Sequence, residues 1–270
     1  MDEFELLKNR VYLYDGSFEG LLTAVFDAWS DKRLLSIEEA GKYERNFVDE
    51  TVAVESSTGK FERIKNWLIR ASGDKAFFKI YRAFLTEDRD CGKVVYDYLK
   101  LIAKLGGNAD RHLSHCAVSR INKLEQAFCN ETHKMYGFLR FKETSGDVLY
   151  AGIGTKYNQL EPLMAFFHER MPGRKIIIYD EKRKLAAVCD GDMWYITDGF
   201  DKSVFDTDEH DGDFEELWKK YLTELSIKER ENYKLQRQMM PIRYREYMTE
   251  FELKDSSAAA ERQMVYYTEN

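Results

Sequence analysis

The chain opens with Val11-Tyr12-Leu13-Tyr14, a β-branched and aromatic run that ends at Asp15-Gly16, the pattern of a strand followed by a turn. Ser17 can then cap a helix on which Phe18, Leu21, Leu22, Val25, Phe26 and Trp29 recur at helical spacing, which predicts one buried face. From Lys60 to Asn130 the period stays helical. Phe77, Phe78, Tyr81, Phe84 and Leu85 make one stripe, and Val94, Val95, Tyr98, Leu99, Ile102 and Leu105 make a second that Gly106-Gly107 stops. Leu113, Ala117, Ile121, Leu124 and Phe128 make a third.

At Tyr136 the period changes. Tyr136–Lys142, Val148–Ile153, Lys175–Tyr179, Leu185–Val188 and Met193–Ile196 read as strands, with one helix from Pro162 to Arg170 between the second and third. The short links joining the last three strands require antiparallel neighbours, because a parallel return needs a crossover of roughly a dozen residues. Asp213 and Glu216 form a capping box ahead of Leu217, Trp218, Tyr221, Leu222 and Leu225, and Ser226 with Glu229 repeats the device for a second helix. The expected fold is α+β: an antiparallel sheet of about five to six strands with a helical N-terminal subdomain (55–132), a sheet region (133–200) and C-terminal helices (213–250). These form a single domain over 1–254, and 255–270, with no apolar period, is expected to be a flexible tail.

Composition narrows the classes without naming a function. A 270-residue chain with 44% hydrophobic and 14% aromatic residues can fill a sizeable core, which excludes disorder and collagen-like repeats. The four cysteines, at 91, 116, 129 and 189, match no paired CxxC site, so a zinc ribbon, an iron–sulfur cluster and a disulfide framework are not expected. The reading is a cytoplasmic protein, with no signal peptide, no membrane span and no cofactor. The net charge of −7 argues against bulk attraction to polyanions, but it is unevenly placed. Asp190 through Glu216 holds eleven acids and one base, so the remainder of the chain carries a small positive excess. Bases concentrate in Lys60–Lys104, with eleven against six acids, and after Ser226, where Arg230, Lys234 and Arg237 share one predicted helix face before Arg243 and Arg245. Tyr233, Tyr244 and Tyr247 interleave with this second stripe, and bases of nucleic acid stack on rings while guanidinium groups hold phosphates.

Other constellations are weaker. Asp206, Asp208, Glu209 and Asp211 could offer oxygens to a divalent cation, but setting Gly212 at the invariant EF-hand glycine puts Thr207 and Trp218 where ligands belong, so a solvated acidic loop is the stronger reading. His112, His115 and Cys116 fall at i, i+3 and i+4 of a predicted helix, and a fourth metal ligand would have to come from a distance, from Cys129 or His133, so a structural helix surface is the stronger reading. Gly152-Ile153-Gly154 follows a strand but lacks the third glycine of a dinucleotide loop. Lys134–Phe141 is similar to the RNA-recognition octamer, with Met135 and Leu139 departing from it, but its partner strand would lie more than a hundred residues away. As a strand it would place Tyr136, Phe138 and Arg140 on one face.

Three separated segments together resemble a known bacterial family. They are Tyr14-Asp15-Gly16-Ser17-Phe18-Glu19-Gly20-Leu21-Leu22, then His133-Lys134-Met135-Tyr136-Gly137-Phe138-Leu139-Arg140-Phe141, then Met240-Pro241-Ile242-Arg243-Tyr244. The family is that of DNA metabolism proteins encoded beside a radical SAM protein of DNA modification or repair, some members being fused to a uracil-DNA glycosylase-like domain. The resemblance covers roughly Arg10 to Glu252. It implies a role in DNA repair or modification with the radical SAM protein as partner, and a glycosylase-like protein acting in trans, but no reaction. The matching polar positions are Asp15, Ser17, His133, Arg140, Asn158, His168, Arg170, Arg243 and Tyr244.

The leading expectation is therefore an accessory protein that binds DNA, single-stranded or damaged DNA included, through Arg140, Arg170, Arg230, Lys234, Arg237, Arg243, Tyr244 and Arg245. The enzyme alternative is a nucleic-acid-processing hydrolase with His133, placed where a helix yields to a strand, and His168, since imidazole moves protons near neutral pH. The third reading is a protein-binding adaptor without nucleic-acid contact, whose acidic loop docks a basic partner.

Overall fold

The computed structural model describes residues 8–45, 47–144, 147–201 and 212–251, the side chains of 212–215 and 228 excepted. The chain forms two compact units, Met1–Glu131 and Thr132–Asn270.

The first unit begins as its hydrophobic pattern predicts. Strand β1 (Arg10–Tyr14) turns at Asp15-Gly16 into helix α1 (Phe18–Asp27), and the Ser17 hydroxyl accepts the Gly20 amide at 2.8 Å, satisfying one of the amides a helix start leaves unpaired. β1 is the middle strand of a parallel sheet, between β2 (Leu34–Glu39) and β3 (Glu50–Ala53). The hydrophobic pattern does not announce β2 and β3, because both are short and mostly half-buried. A parallel sheet must be covered by its crossover helices, so α1 is buried through six consecutive residues, Gly20–Val25, rather than along one face.

Helices α2 (Thr58–Ser72), α3 (Asp74–Phe84), α4 (Cys91–Leu105) and α5 (Cys116–Phe138) follow, α5 carrying the chain across the boundary between the units. Phe18 sits among Phe61, Phe77, Tyr81 and Phe84, with ring centroids 5.0–6.0 Å away, so the predicted α3 stripe meets α1 through aromatic edges. α4 stops at Gly106, whose φ of 58° suits a residue without a Cβ, and a 3-10 turn over Gly106–Arg111 follows. That turn corrects one expectation: His112 and His115 precede α5 instead of lying on it. The His115 Nδ1 accepts the Ala117 amide at 3.2 Å, capping the helix, so His112, His115 and Cys116 share no helix face. α4 lies against β2 through Gly92, where an added Cβ would stand 2.2 Å from the Ile37 carbonyl oxygen.

The second unit holds a five-stranded sheet in the order β4 (Lys142–Thr144), β5 (Val148–Ile153), β6 (Lys175–Asp180), β7 (Leu185–Cys189), β8 (Trp194–Thr197). The last three strands are antiparallel neighbours, as their short links require. β5 and β6 pair in parallel, so the sheet is mixed and the wholly antiparallel expectation is corrected. The reason lies in the stretch 154–174, which holds α6 (Leu160–Arg170) and is long enough for a crossover. Leu160, Leu163, Met164 and Phe167 of α6 pack on one face of the sheet against Ala151, Ile153, Ile176, Ile178 and Ala187.

The predicted strand Tyr136–Lys142 is also corrected. α5 continues to Phe138, and only Lys142–Thr144 enters the sheet. Met135 and Leu139, one helical turn apart, are buried in the α6 core, while the Tyr136 ring stacks on Phe166 at 4.0 Å. Alternating aromatic residues mimic a strand period here, and the helical partners decide the outcome. Tyr136, Phe138 and Arg140 thus share no strand face.

The C-terminal part comprises α7 (Gly212–Leu225), a 3-10 turn at Lys228–Arg230, α8 (Tyr233–Met239), α9 (Ile242–Arg245) and a last 3-10 turn at Thr249–Phe251. The predicted Ser226–Glu229 cap does not form. Ser226 donates back to the Thr223 carbonyl, closing α7, and Asn232 caps α8 by accepting the Leu235 amide at 2.9 Å. The side chain of Asp213, the acids from 206 to 211 and the expected tail 255–270 lie outside the described residues. Among the described residues no helix is long and apolar enough to cross a membrane.

Candidate nucleic-acid interface

The two basic stretches separate once ion pairs are traced. In the first unit, Lys60 pairs with Asp27, Lys65 with Glu62, Lys79 with Asp110, Arg82 with Glu125, Arg89 with Glu38 and Lys93 with Asp97. Arg63 lies over the Phe26 ring, and the Lys100 ammonium sits 4.5 Å from the Trp29 ring centroid while donating to the Trp29 carbonyl. The eleven bases of Lys60–Lys104 therefore face acids and rings of their own unit far more than their sequence count suggests.

The C-terminal bases differ. Arg230 stands in the 3-10 turn, so the expected i, i+4, i+7 stripe with Lys234 and Arg237 is broken. Lys234 and Arg237 remain together on α8, both exposed, with exposed Tyr233. At 100° per residue these three occupy the side of α8 opposite Leu235 and Met239. α8 thus has one basic and aromatic side and one apolar side. On α7 the Trp218 and Tyr221 rings stack 5.7 Å apart, with Lys219 and Lys220 between them in sequence.

Of the remaining predicted contacts, Arg140, Arg243, Tyr244 and Arg245 are engaged within the unit. Arg140 forms a bidentate pair with Glu250 (Nε–Oε2 3.2 Å, Nη2–Oε1 2.7 Å), donates to the Gly137 and Leu139 carbonyls, and lies over Trp218. Tyr244 is 2% exposed, in the core beside Phe138. Arg243 donates to the Tyr244 hydroxyl at 3.0 Å and lies over its ring. The Arg245 Nε donates to the Met240 carbonyl and the guanidinium covers Phe251. Arg170 is exposed in the last turn of α6.

The two candidate catalytic imidazoles share no hydrogen bond. His133 is exposed within α5 instead of standing where a helix meets a strand. His168, in the last turn of α6, approaches the buried Cys189 thiol, Nδ1 to Sγ 3.4 Å, and the Gly191 amide also points at that sulfur. Nothing in the spacing of residues 168 and 189 signals this pair, which β7 and α6 bring together. Asn158 accepts the Leu160 amide in a turn just ahead of α6, whose N-cap position is Gln159. Gly152 and Gly154 seat the Tyr247 ring: a Cβ on Gly154 would lie 2.5 Å from its hydroxyl oxygen. The glycines are explained by that ring.

Asp15 and Ser17 sit at the carboxyl end of β1. The Asp15 carboxylate accepts the Ser17 amide and hydroxyl and, from the β3–α2 loop, the Ser56 hydroxyl at 2.7 Å. Burial alone would raise its pKa, yet these hydrogen bonds outweigh it and hold the carboxyl below its usual range. Gly20 allows the approach, since a Cβ there would lie 2.1 Å from Oδ1. Ser56 is the member that sequence reasoning missed; Ser56-Ser57-Thr58 ahead of a helical run was its signal. Among the described residues no three His, Cys, Asp or Glu side chains are grouped to hold a metal ion.

No curated protein and no solved structure matches the chain. A family model described as a domain of unknown function, DUF4130, matches residues 89–250, from the turn before α4 through α9 and on to the last 3-10 turn. That stretch contains the whole five-stranded sheet, α6 and the exposed α7–α8 segment, so the chain belongs to the DUF4130 family.

Proposed function

We propose that this protein is an accessory factor of DNA repair or modification that holds nucleic acid on its C-terminal segment and works with a radical SAM protein. Process and partner follow from the resemblance of the three motif segments. The observation that supports the nucleic-acid role is the exposed side of α8, where Tyr233, Lys234 and Arg237 stand opposite the apolar residues. Rings that are exposed offer stacking surface to unpaired bases, and neighbouring cations hold the phosphates between them. A duplex hides its base faces, so single-stranded or damaged DNA is the ligand of choice. A seven-residue helix is also only about 10 Å long, short for reading a major groove.

The test is binding of a single-stranded oligonucleotide across a salt series. Arg230, Lys234 and Arg237 together predict a slope of about −2 in log K against log salt, at roughly −0.7 per phosphate on single strands. Arg237→Glu should weaken binding and flatten the slope, while Arg82→Glu, in the first unit, should do neither. Binding that is absent, or insensitive to salt, would overturn the proposal. Co-purification with the radical SAM protein tests the partnership separately.

A further inference from the structure

We infer that the apolar face of α7, continued by the apolar side of α8, is an interface between two copies of this chain. Leu217, Trp218, Tyr221, Leu222 and Leu225 fall at i, i+1, i+4, i+5 and i+8, a single stripe along a fourteen-residue helix. Such a stripe normally faces a core, yet Leu217 is 64% exposed, Leu225 61% and, on α8, Met239 67%. Ile227 and Leu235 extend the same exposed character.

The size of the patch favours a folded partner. With about 200 Å² for a fully exposed large side chain, the stripe with Ile227, Leu235 and Met239 presents roughly 800 Å², against a few hundred for an ordinary monomer's largest patch and about 800 Å² per partner in a stable complex. Charge selects a second copy as that partner. Glu216, Lys219, Lys220 and Glu224 mix both signs on α7, so two identical surfaces meet without one sign facing itself over the whole contact. A polyanion gains nothing from a stripe of leucines, and the mixed signs of α7 give an anionic membrane surface no net attraction to it. Two helical segments per copy, each with an apolar side, can close as a four-helix contact about a two-fold axis, the self-complementary arrangement most dimers use. Lys234 and Arg237, on the other side of α8 from Leu235 and Met239, are left outside this contact.

The experiment is sedimentation velocity of the full chain from low to high micromolar concentration. The expected result is a concentration-dependent species of twice 31.9 kDa, whose association is retained in high salt. Leu217→Glu with Leu225→Glu should weaken association by roughly 100-fold or more. Both side chains are exposed, so circular dichroism and the melting transition should stay as in the parent, which separates lost association from lost folding. Lys220→Glu, on the polar side of α7, should leave the dimer intact. A monomer at every concentration would overturn the inference and is what a different protein partner on this face predicts. A dimer untouched by the double substitution, or a mass that rises without limit, would overturn it as well.

Discussion

Replacing Gly92 by alanine gives the sharpest check on how the first unit is built. The new Cβ would stand 2.2 Å from the Ile37 carbonyl oxygen and 2.8 Å from the Ile37 Cβ. The obstacle is backbone of β2, hydrogen-bonded to β1 in register, and it cannot rotate aside as a side-chain end could. Relief requires α4 to withdraw from the sheet, and α4 carries Val94, Val95, Tyr98, Leu99 and Ile102 of the core. Overpacking of this kind costs about 1–3 kcal/mol, and rigid backbone places it at the upper end. Alanine regains up to about 1 kcal/mol of helix propensity, so the net loss should be roughly 2 kcal/mol. At about 3 °C per kcal/mol, the melting temperature should fall by about 6 °C. Gly137→Ala is the matched control. Gly137 lies in α5 with nothing within 4 Å of a built Cβ, so the same chemical change should stabilise by about 0.5–1 kcal/mol. Urea titrations followed by far-ultraviolet circular dichroism would report both as shifts in midpoint at constant slope. A Gly92→Ala protein as stable as the parent would refute the seating of α4 on β2.

Two further outcomes follow from the polar contacts. The Asp15 carboxyl is held below its usual 3.8, so its contribution is present above that value and is lost as pH falls through the lower folded value. The stability gap between the parent and Asp15→Asn should narrow as pH falls through 3.8 and below in urea titrations, and a gap that widens on acidification would refute the hydrogen-bonding account. Glu250→Ala leaves the Arg140 guanidinium, 22% exposed, without its bidentate partner, and should cost about 2 kcal/mol, below the 3–5 of a fully buried pair; no loss of stability would show that the pair does not hold the C-terminal turn in place.

What the sequence discloses depends on whether a signal is local. The turn from β1 into α1 is written in Asp15-Gly16-Ser17, and the Gly106 stop of α4 is local in the same way; both stand where residue chemistry puts them. The antiparallel β6–β7–β8 run follows from short links alone. β2 and β3 carry no comparable signal, because a four-residue or six-residue strand in a small parallel sheet gets its partners from β1, not from its own pattern. The end of α5 fails for the opposite reason: Tyr136 and Phe138 alternate as in a strand, and only the positions of Phe166 and Tyr244 reveal them as helix contacts. The basic stretch of the first unit is the electrostatic counterpart, a dense run of charge whose neutralising acids, such as Asp27 and Glu125, lie outside it.

The motif segments that carry the family resemblance turn out to specify scaffold more than surface. Within the second unit, Phe138 and Tyr244 meet ring to ring, the Arg140 guanidinium is taken by Glu250, and Tyr247, three residues beyond the last motif, fills the cradle of Gly152 and Gly154. In the first unit Asp15, Ser17 and Gly20 lock a loop to a helix start. Residues used in this way serve the fold, whatever the ligand. A ligand must be met by exposed side chains, and on the C-terminal segment these include Tyr233, Lys234 and Arg237 on one side of α8 and the leucines of α7 and α8 on the other. Family likeness therefore constrains the frame, while substitutions at those exposed positions, which leave the frame untouched, are the ones able to separate a nucleic-acid surface from a docking surface.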